Sequence, residues 1–120
     1  MSQDNPTIEE ILITVKEFAQ GVAQRSSGAE RYDGLCAAFL MGVVQRELNL
    51  GTQQDDDQLV ELQSMLGTND DLAELYRRFS INVRKGSYDK DWQSAFDFAF
   101  KQVVDKVKVT NPDHLEEEHR

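Results

Sequence analysis

The sequence is short of most residues that stabilise or equip small proteins, and each shortage excludes something. Cys36 is its only cysteine, so no internal disulfide can form. Its apolar neighbours suggest an inert buried thiol. The two histidines, His114 and His119, lie near the C-terminal end with no cysteine or ordered carboxylate at ligand spacing, which argues against a zinc site. Serines and threonines are scattered without a histidine base, and no glycine-rich phosphate loop or dinucleotide fingerprint occurs. Positive charge is scarce as well. Thirteen Lys and Arg stand against 22 Asp and Glu, for a net charge of −9. Non-specific adhesion to nucleic acid or to an anionic membrane is therefore disfavoured. Two prolines in 120 residues leave long stretches free of helix breakers. The longest apolar run, "GLCAAFLMGVV" from Gly34 to Val44, has eleven residues, about half of the ~20 that a bilayer span needs. The N-terminal "MSQDNPTIEE" lacks a positive segment leading into an apolar one, so no signal peptide is expected and the cytoplasm is.

What is present reads as helix. Leu, Ala, Val, Glu, Gln and Asp dominate, and apolar residues recur at three- and four-residue steps. The expectation is an all-α, mostly antiparallel bundle of about five helices, a single domain over residues 1–110 followed by a solvated acidic tail over 111–120. The first helix runs from about Pro6 to Val22, with Thr7 and Glu10 at capping-box spacing. The second, residues 29–50, contains the apolar run and stops at Gly51. A helix apolar all round is one buried all round, so it is placed at the centre. A third covers about Asp55–Leu66, where Asp55, Asp56 and Asp57 suit the helix dipole better than a cation site. The fourth covers Asp70–Lys85, with Gly86 just past its end. The fifth starts near Asp89 and turns Trp92, Phe96, Ala99, Phe100, Val103 and Val107 inward. Residues 103–109, rich in valine, read as helix or strand, with helix favoured because no second strand exists for pairing.

Three groups of residues invite a function. Gly34, Ala38 and Gly42 form a stripe of small residues on helix two, suited to close approach by another helix within the chain or across a dimer. Arg77, Arg78, Arg84 and Lys85 concentrate positive charge on an otherwise acidic protein. Arg77 and Arg84 share a face with Ile81, able to grip a phosphate or carboxylate, or simply to remain solvated. Arg46 and Glu47 continue the apolar helix, either as an internal ion pair or as the wall of a polar pocket. Ile13, Ile81 and Phe98 fall off the inward stripes and are expected to join in a homodimer interface.

The segments "PTIEEILITVKEF", "VVQRELNLG", "DLAELYRRF…VRKG" and "VTNP" together resemble, in order and spacing, a bacterial family of small helical domains of unknown function. Members of that family are often encoded near acyl-CoA dehydrogenases and near kinases similar to aminoglycoside phosphotransferases. Its pattern often has histidine where Asp33 stands and asparagine near Phe39. This sequence lacks both, so the resemblance implies no shared catalytic group on helix two. The favoured expectation is a small non-enzymatic accessory or interaction protein, without cofactor or metal, acting beside an acyl-CoA or phosphotransfer enzyme. The alternative is a binding module, or an enzyme, for an anionic metabolite such as an acyl-CoA at Arg77, Arg84, Arg46 and Glu47.

Overall fold

The computed structural model describes residues 5–120. Residues 1–4, part of the N-terminal segment considered above, lie outside that range. Four α-helices and two 3-10 turns make up the fold: α1 Ile8–Arg25, α2 Gly28–Leu66, α3 Leu72–Lys85, α4 Trp92–Thr110, then Pro112–His114 and Glu117–His119. No strand occurs among the described residues. Residues 103–109 are helical throughout.

The expected second and third helices are one. α2 runs 39 residues without a break, and Gly51 sits inside it, buried. Glycine in a helix costs only ~1 kcal/mol relative to alanine, and "TQQDDDQ" contains nothing that opposes helix. The glycines that do mark helix boundaries have left-handed backbones: Gly28 at φ 64°, Gly67 at 67° and Gly86 at 81°. Caps behave as their residue types dictate. The Thr7 hydroxyl accepts the Glu10 amide at 3.1 Å, and the Asp71 carboxylate accepts the Glu74 amide at 2.9 Å. Gly86 donates back to the carbonyls of Asn82 and Val83, and Asn111 closes α4 just before Pro112.

The chain divides into two compact units, up to Asn49 and from Leu50 onward. In the first, α1 and the N-terminal half of α2 form a hairpin across Ser26 and Ser27. Gly34 lies so close to α1 that an added Cβ would fall 2.9 Å from the Ala19 carbonyl oxygen. Ala19, Ala23 and Ala38 complete this small-residue seam, Arg31 donates to the Ala23 carbonyl at 2.9 Å, and Gln45 reaches Glu9 at 3.3 Å. The stripe therefore packs within the chain.

The apolar helix is not buried all round. Only its small-residue stripe is buried, while Leu35 and Phe39 are 50% exposed and Leu40 57%. Within this unit the stripe packs on α1, and one helix covers only one face.

In the second unit the C-terminal half of α2, α3 and α4 enclose Leu62, Leu75, Phe79, Ala95 and Phe98. Phe98 sits among the rings of Phe79 and Tyr76, with centroids 5.1 and 6.2 Å away. The inward stripe expected for α4 is inverted. Trp92, Phe96, Phe100 and Val103 are exposed, while Ala95, Phe98, Asp105 and Val109 face the core.

Candidate interaction surfaces

The arginines of α3 are exposed, and carboxylates hold two of them. Arg77 makes two hydrogen bonds to Glu74, at 2.9 and 2.6 Å. Arg78 reaches Glu74 at 3.1 Å and Asp70 at 3.0 Å. Hydrogen bonds from Arg77 and then Arg78 lower the Glu74 pKa to about 2, and the same contact raises that of Arg77. Arg84 is exposed two residues before the left-handed Gly86. Seven residues apart, Arg77 and Arg84 share the outer face of α3, with Ile81 half-buried on it.

Arg46 and Glu47 belong to the first unit. Arg46 is half-buried, and its guanidinium crosses Gly42, 3.2 Å from where a Cβ would stand; the Lys16 ammonium lies 3.6 Å from the same point. Glu47 is exposed, so its carboxylate needs no internal partner. Of the expected interface residues, Ile13 is exposed, Ile81 half-buried, and Phe98 only 1% exposed. Phe98 is core and cannot meet a partner.

A polar network that sequence reading missed lies beside that core. Asp105 is buried; its carbonyl accepts the Gln54 amide at 2.9 Å, and its carboxylate faces Gln58 and Lys101, each at 3.4 Å. The Tyr76 hydroxyl donates to the Gln58 side-chain oxygen. Burial, followed by the charges of Asp55, Asp105 and Glu61, pushes the Tyr76 pKa up to about 12, so this phenol stays protonated and keeps the proton it donates to Gln58. Beside the network, and sharing Lys101 with it, a groove of about 750 Å³ is lined by Asp57, Glu61, Ser64, Asp97 and Lys101. Three carboxylates against one ammonium repel a phosphate rather than attract it. No metal-binding group of histidine, cysteine or carboxylates exists among the described residues, and no described helix is long and apolar enough to cross a membrane.

The most extensive unassigned features are apolar and exposed. At ~100° per residue, Ile8, Ile11, Val15 and Phe18 fall in an ~80° arc of α1 beside the seam. Tyr32, Leu35 and Phe39 form a second strip on α2, on the opposite side of the hairpin from that arc. Trp92, Phe96 and Phe100 make a ladder on α4, with successive ring centroids 6.3 and 5.9 Å apart, and His119 caps its end 5.2 Å from Phe100. The sequence carries a signal for this ladder in its i, i+4, i+8 spacing. Periodicity identifies an apolar face, however, and does not say whether a neighbour covers it.

A family model described as Domain of unknown function (DUF6285) matches residues 24–114, which takes in α2, α3, α4 and the first 3-10 turn. No curated protein and no solved structure matches the chain.

Proposed function

The chain belongs to the family DUF6285, and from that premise we propose that it is a non-enzymatic interaction protein that docks on a larger enzyme. One observation carries this reading. An uncharged eleven-residue stretch of α2 buries its small residues and leaves Leu35, Phe39 and Leu40 half exposed or more. A soluble monomer seldom displays contiguous apolar surface beyond ~300–600 Å² unless that surface binds something. The docking strip is Tyr32, Leu35 and Phe39, and aromatic anchors of this kind dominate interface energetics. The partner class, an acyl-CoA or phosphotransfer enzyme, follows from the resemblance in sequence. The alternative, an anionic-metabolite site at Arg77 and Arg84, has weaker support because Glu74 already occupies the Arg77 guanidinium.

The test is titration calorimetry of the protein against purified acyl-CoA dehydrogenase and phosphotransfer enzymes from the same cell. Wild type should bind one of them. A Leu35→Glu, Phe39→Glu double variant should lose binding with little change in melting temperature, because both positions are exposed. Silence from every candidate enzyme, or binding that survives the double variant, removes this reading. Thermal stabilisation by coenzyme A that Arg77→Gln with Arg84→Gln abolishes would favour the alternative.

A further inference from the structure

We propose that the protein forms a homodimer in which the α1–α2 hairpin of the first unit packs face to face on its copy and closes a four-helix bundle. The docking strip of Tyr32, Leu35 and Phe39 lies on the other side of the hairpin, so either reading can fail alone.

The face is assembled within one unit. The hairpin seam runs along Ala19 and Ala23 of α1 and Gly34, Ala38 and Gly42 of α2. At ~100° per residue, the arc of Ile8, Ile11, Val15 and Phe18 lies about 90° back around α1 from that seam. Leu40, Val44 and Leu48 lie about 120° back around α2 in the same sense. The two helices run antiparallel, so the same sense of rotation brings both arcs to one side of the hairpin. The Gln45–Glu9 hydrogen bond and the approach of Gly34 to Ala19 fix the register, which sets Ile11 level with Val44 and Val15 level with Leu40. No charged residue falls in either arc between Ile8 and Phe18 or between Leu40 and Leu48. The Arg25 guanidinium lies over the Phe18 ring at 5.6 Å and begins a polar rim at the turn.

Size selects the occupant. The side chains of the two arcs are between 38% and 67% exposed. At roughly 200 Å² for a fully exposed large side chain, they offer about 700 Å² of apolar surface, more than the ~300–600 Å² of the largest patch on a typical monomer. Paired with its own copy, this one face buries about 1,400 Å² in total, inside the ~1,200–2,000 Å² of a stable interface. Two-fold pairing needs only one self-complementary face, and two hairpins so joined have the architecture of a four-helix bundle.

The poverty of the hairpin's own core points the same way. The first unit ends at Asn49, and its buried side chains are those of alanine: Ala19, Ala23 and Ala38. Units so small are ordinarily completed by disulfides, a metal or oligomerisation. Cys36 is the only cysteine, and no metal-binding group occurs among the described residues, so pairing is the supplement that remains. Charge agrees as well, because chains of net charge −9 approach each other best across a face that carries no carboxylate.

The full chain is examined by sedimentation equilibrium across the micromolar range. Mass should rise from 13.7 kDa toward twice that value. Val15→Glu and, separately, Val44→Glu should each weaken association by at least about tenfold, since each sets a carboxylate in the middle of the face. Phe96→Glu, exposed on α4 in the second unit, should associate like the wild type. In a mixture of isotope-labelled and unlabelled wild-type protein, filtered NMR should show contacts between chains among the methyl groups of Ile11, Val15, Leu40 and Val44. That measurement needs no variant and decides the matter should a glutamate variant fail to fold. A mass that stays at 13.7 kDa, association that survives both glutamates or is lost equally with Phe96→Glu, or contacts between chains that lie elsewhere would each overturn the proposal. A monomer that binds an enzyme through Tyr32, Leu35 and Phe39 would overturn the pairing and leave the proposed function standing.

Discussion

Gly34 and Gly42 stand two turns apart on α2 and meet opposite surroundings. A Cβ at Gly34 would press on backbone, the Ala19 carbonyl and the Ala23 amide at 2.9 and 3.0 Å, and backbone in a packed seam gives way at a cost. A Cβ at Gly42 would meet the far ends of Arg46 and Lys16, which can swing aside. Gly34→Ala should therefore destabilise by about 1–2 kcal/mol despite the better helix propensity of alanine. Gly42→Ala should be neutral or stabilising by up to ~1 kcal/mol. Chemical denaturation of the two variants checks the opposite signs. Overpacking at Gly42, where the small-residue stripe alone would place it, is not expected. A second residue-scale expectation concerns Glu74. Its folded pKa of about 2 lies below its unfolded value. The ionised form thus contributes stability that is fully present above the unfolded pKa and is lost as pH falls toward 2. Solvent screens this exposed pair, so the contribution is small. Carboxyl-carbon NMR should show Glu74 titrating near pH 2, and Arg77→Gln should return it toward the ordinary carboxylate range.

At the scale of elements, α2 and α4 depart from their sequence readings for different reasons. In α2 the boundary was placed at a glycine, yet glycine ends a helix only where the chain turns left-handed, as at Gly67 and Gly86. Gly51 stays helical because its flanking residues do. Gly51→Pro separates the two descriptions. In a continuous helix, proline removes the hydrogen bond that the residue-51 N–H donates to the Glu47 carbonyl and clashes with that carbonyl, costing ~3 kcal/mol or more. Between two helices it would be tolerated. Circular dichroism and a denaturation midpoint should register the loss; an unchanged midpoint would restore the boundary. In α4 two apolar arcs exist, and the more aromatic one looked like the core. The arc that is buried carries Gln102 and Asp105 and so reads as polar. Asp105 is admitted because Gln58 from α2 and Lys101 from the preceding turn of α4 satisfy its carboxylate.

Over the whole molecule, the bulky core lies in the second unit, where Leu62, Leu75, Phe79 and Phe98 cluster. The first unit buries alanine and glycine and leaves its large side chains outside. Apolar surface is thus available for association on a chain with a net charge of −9. Two copies repel each other through those charges, and salt screens the repulsion over ~8–10 Å. Self-association through such apolar surface would therefore tighten between low and high salt, as sedimentation equilibrium at the two ionic strengths would show. An interface held by ion pairs would weaken instead.

Helix content, the cap at Thr7, and the helix ends at Gly67, Gly86 and Asn111 were all determined by sequence alone. Each depends on local chemistry: a side-chain oxygen near an orphan amide, a residue tolerant of positive φ, a proline just beyond. The all-helical class follows from the same local preferences repeated along the chain. Only the tertiary structure decided which arc of α4 turns inward, that the apolar run of α2 leaves Leu35, Phe39 and Leu40 exposed, and that Phe98 is core while Phe96 and Phe100 are surface. Those outcomes depend on what another element presents. Lys101 pairs with Asp105 from within α4, but Gln58 arrives from 47 residues away to share the carboxylate, and no periodicity within α4 contains that second contact.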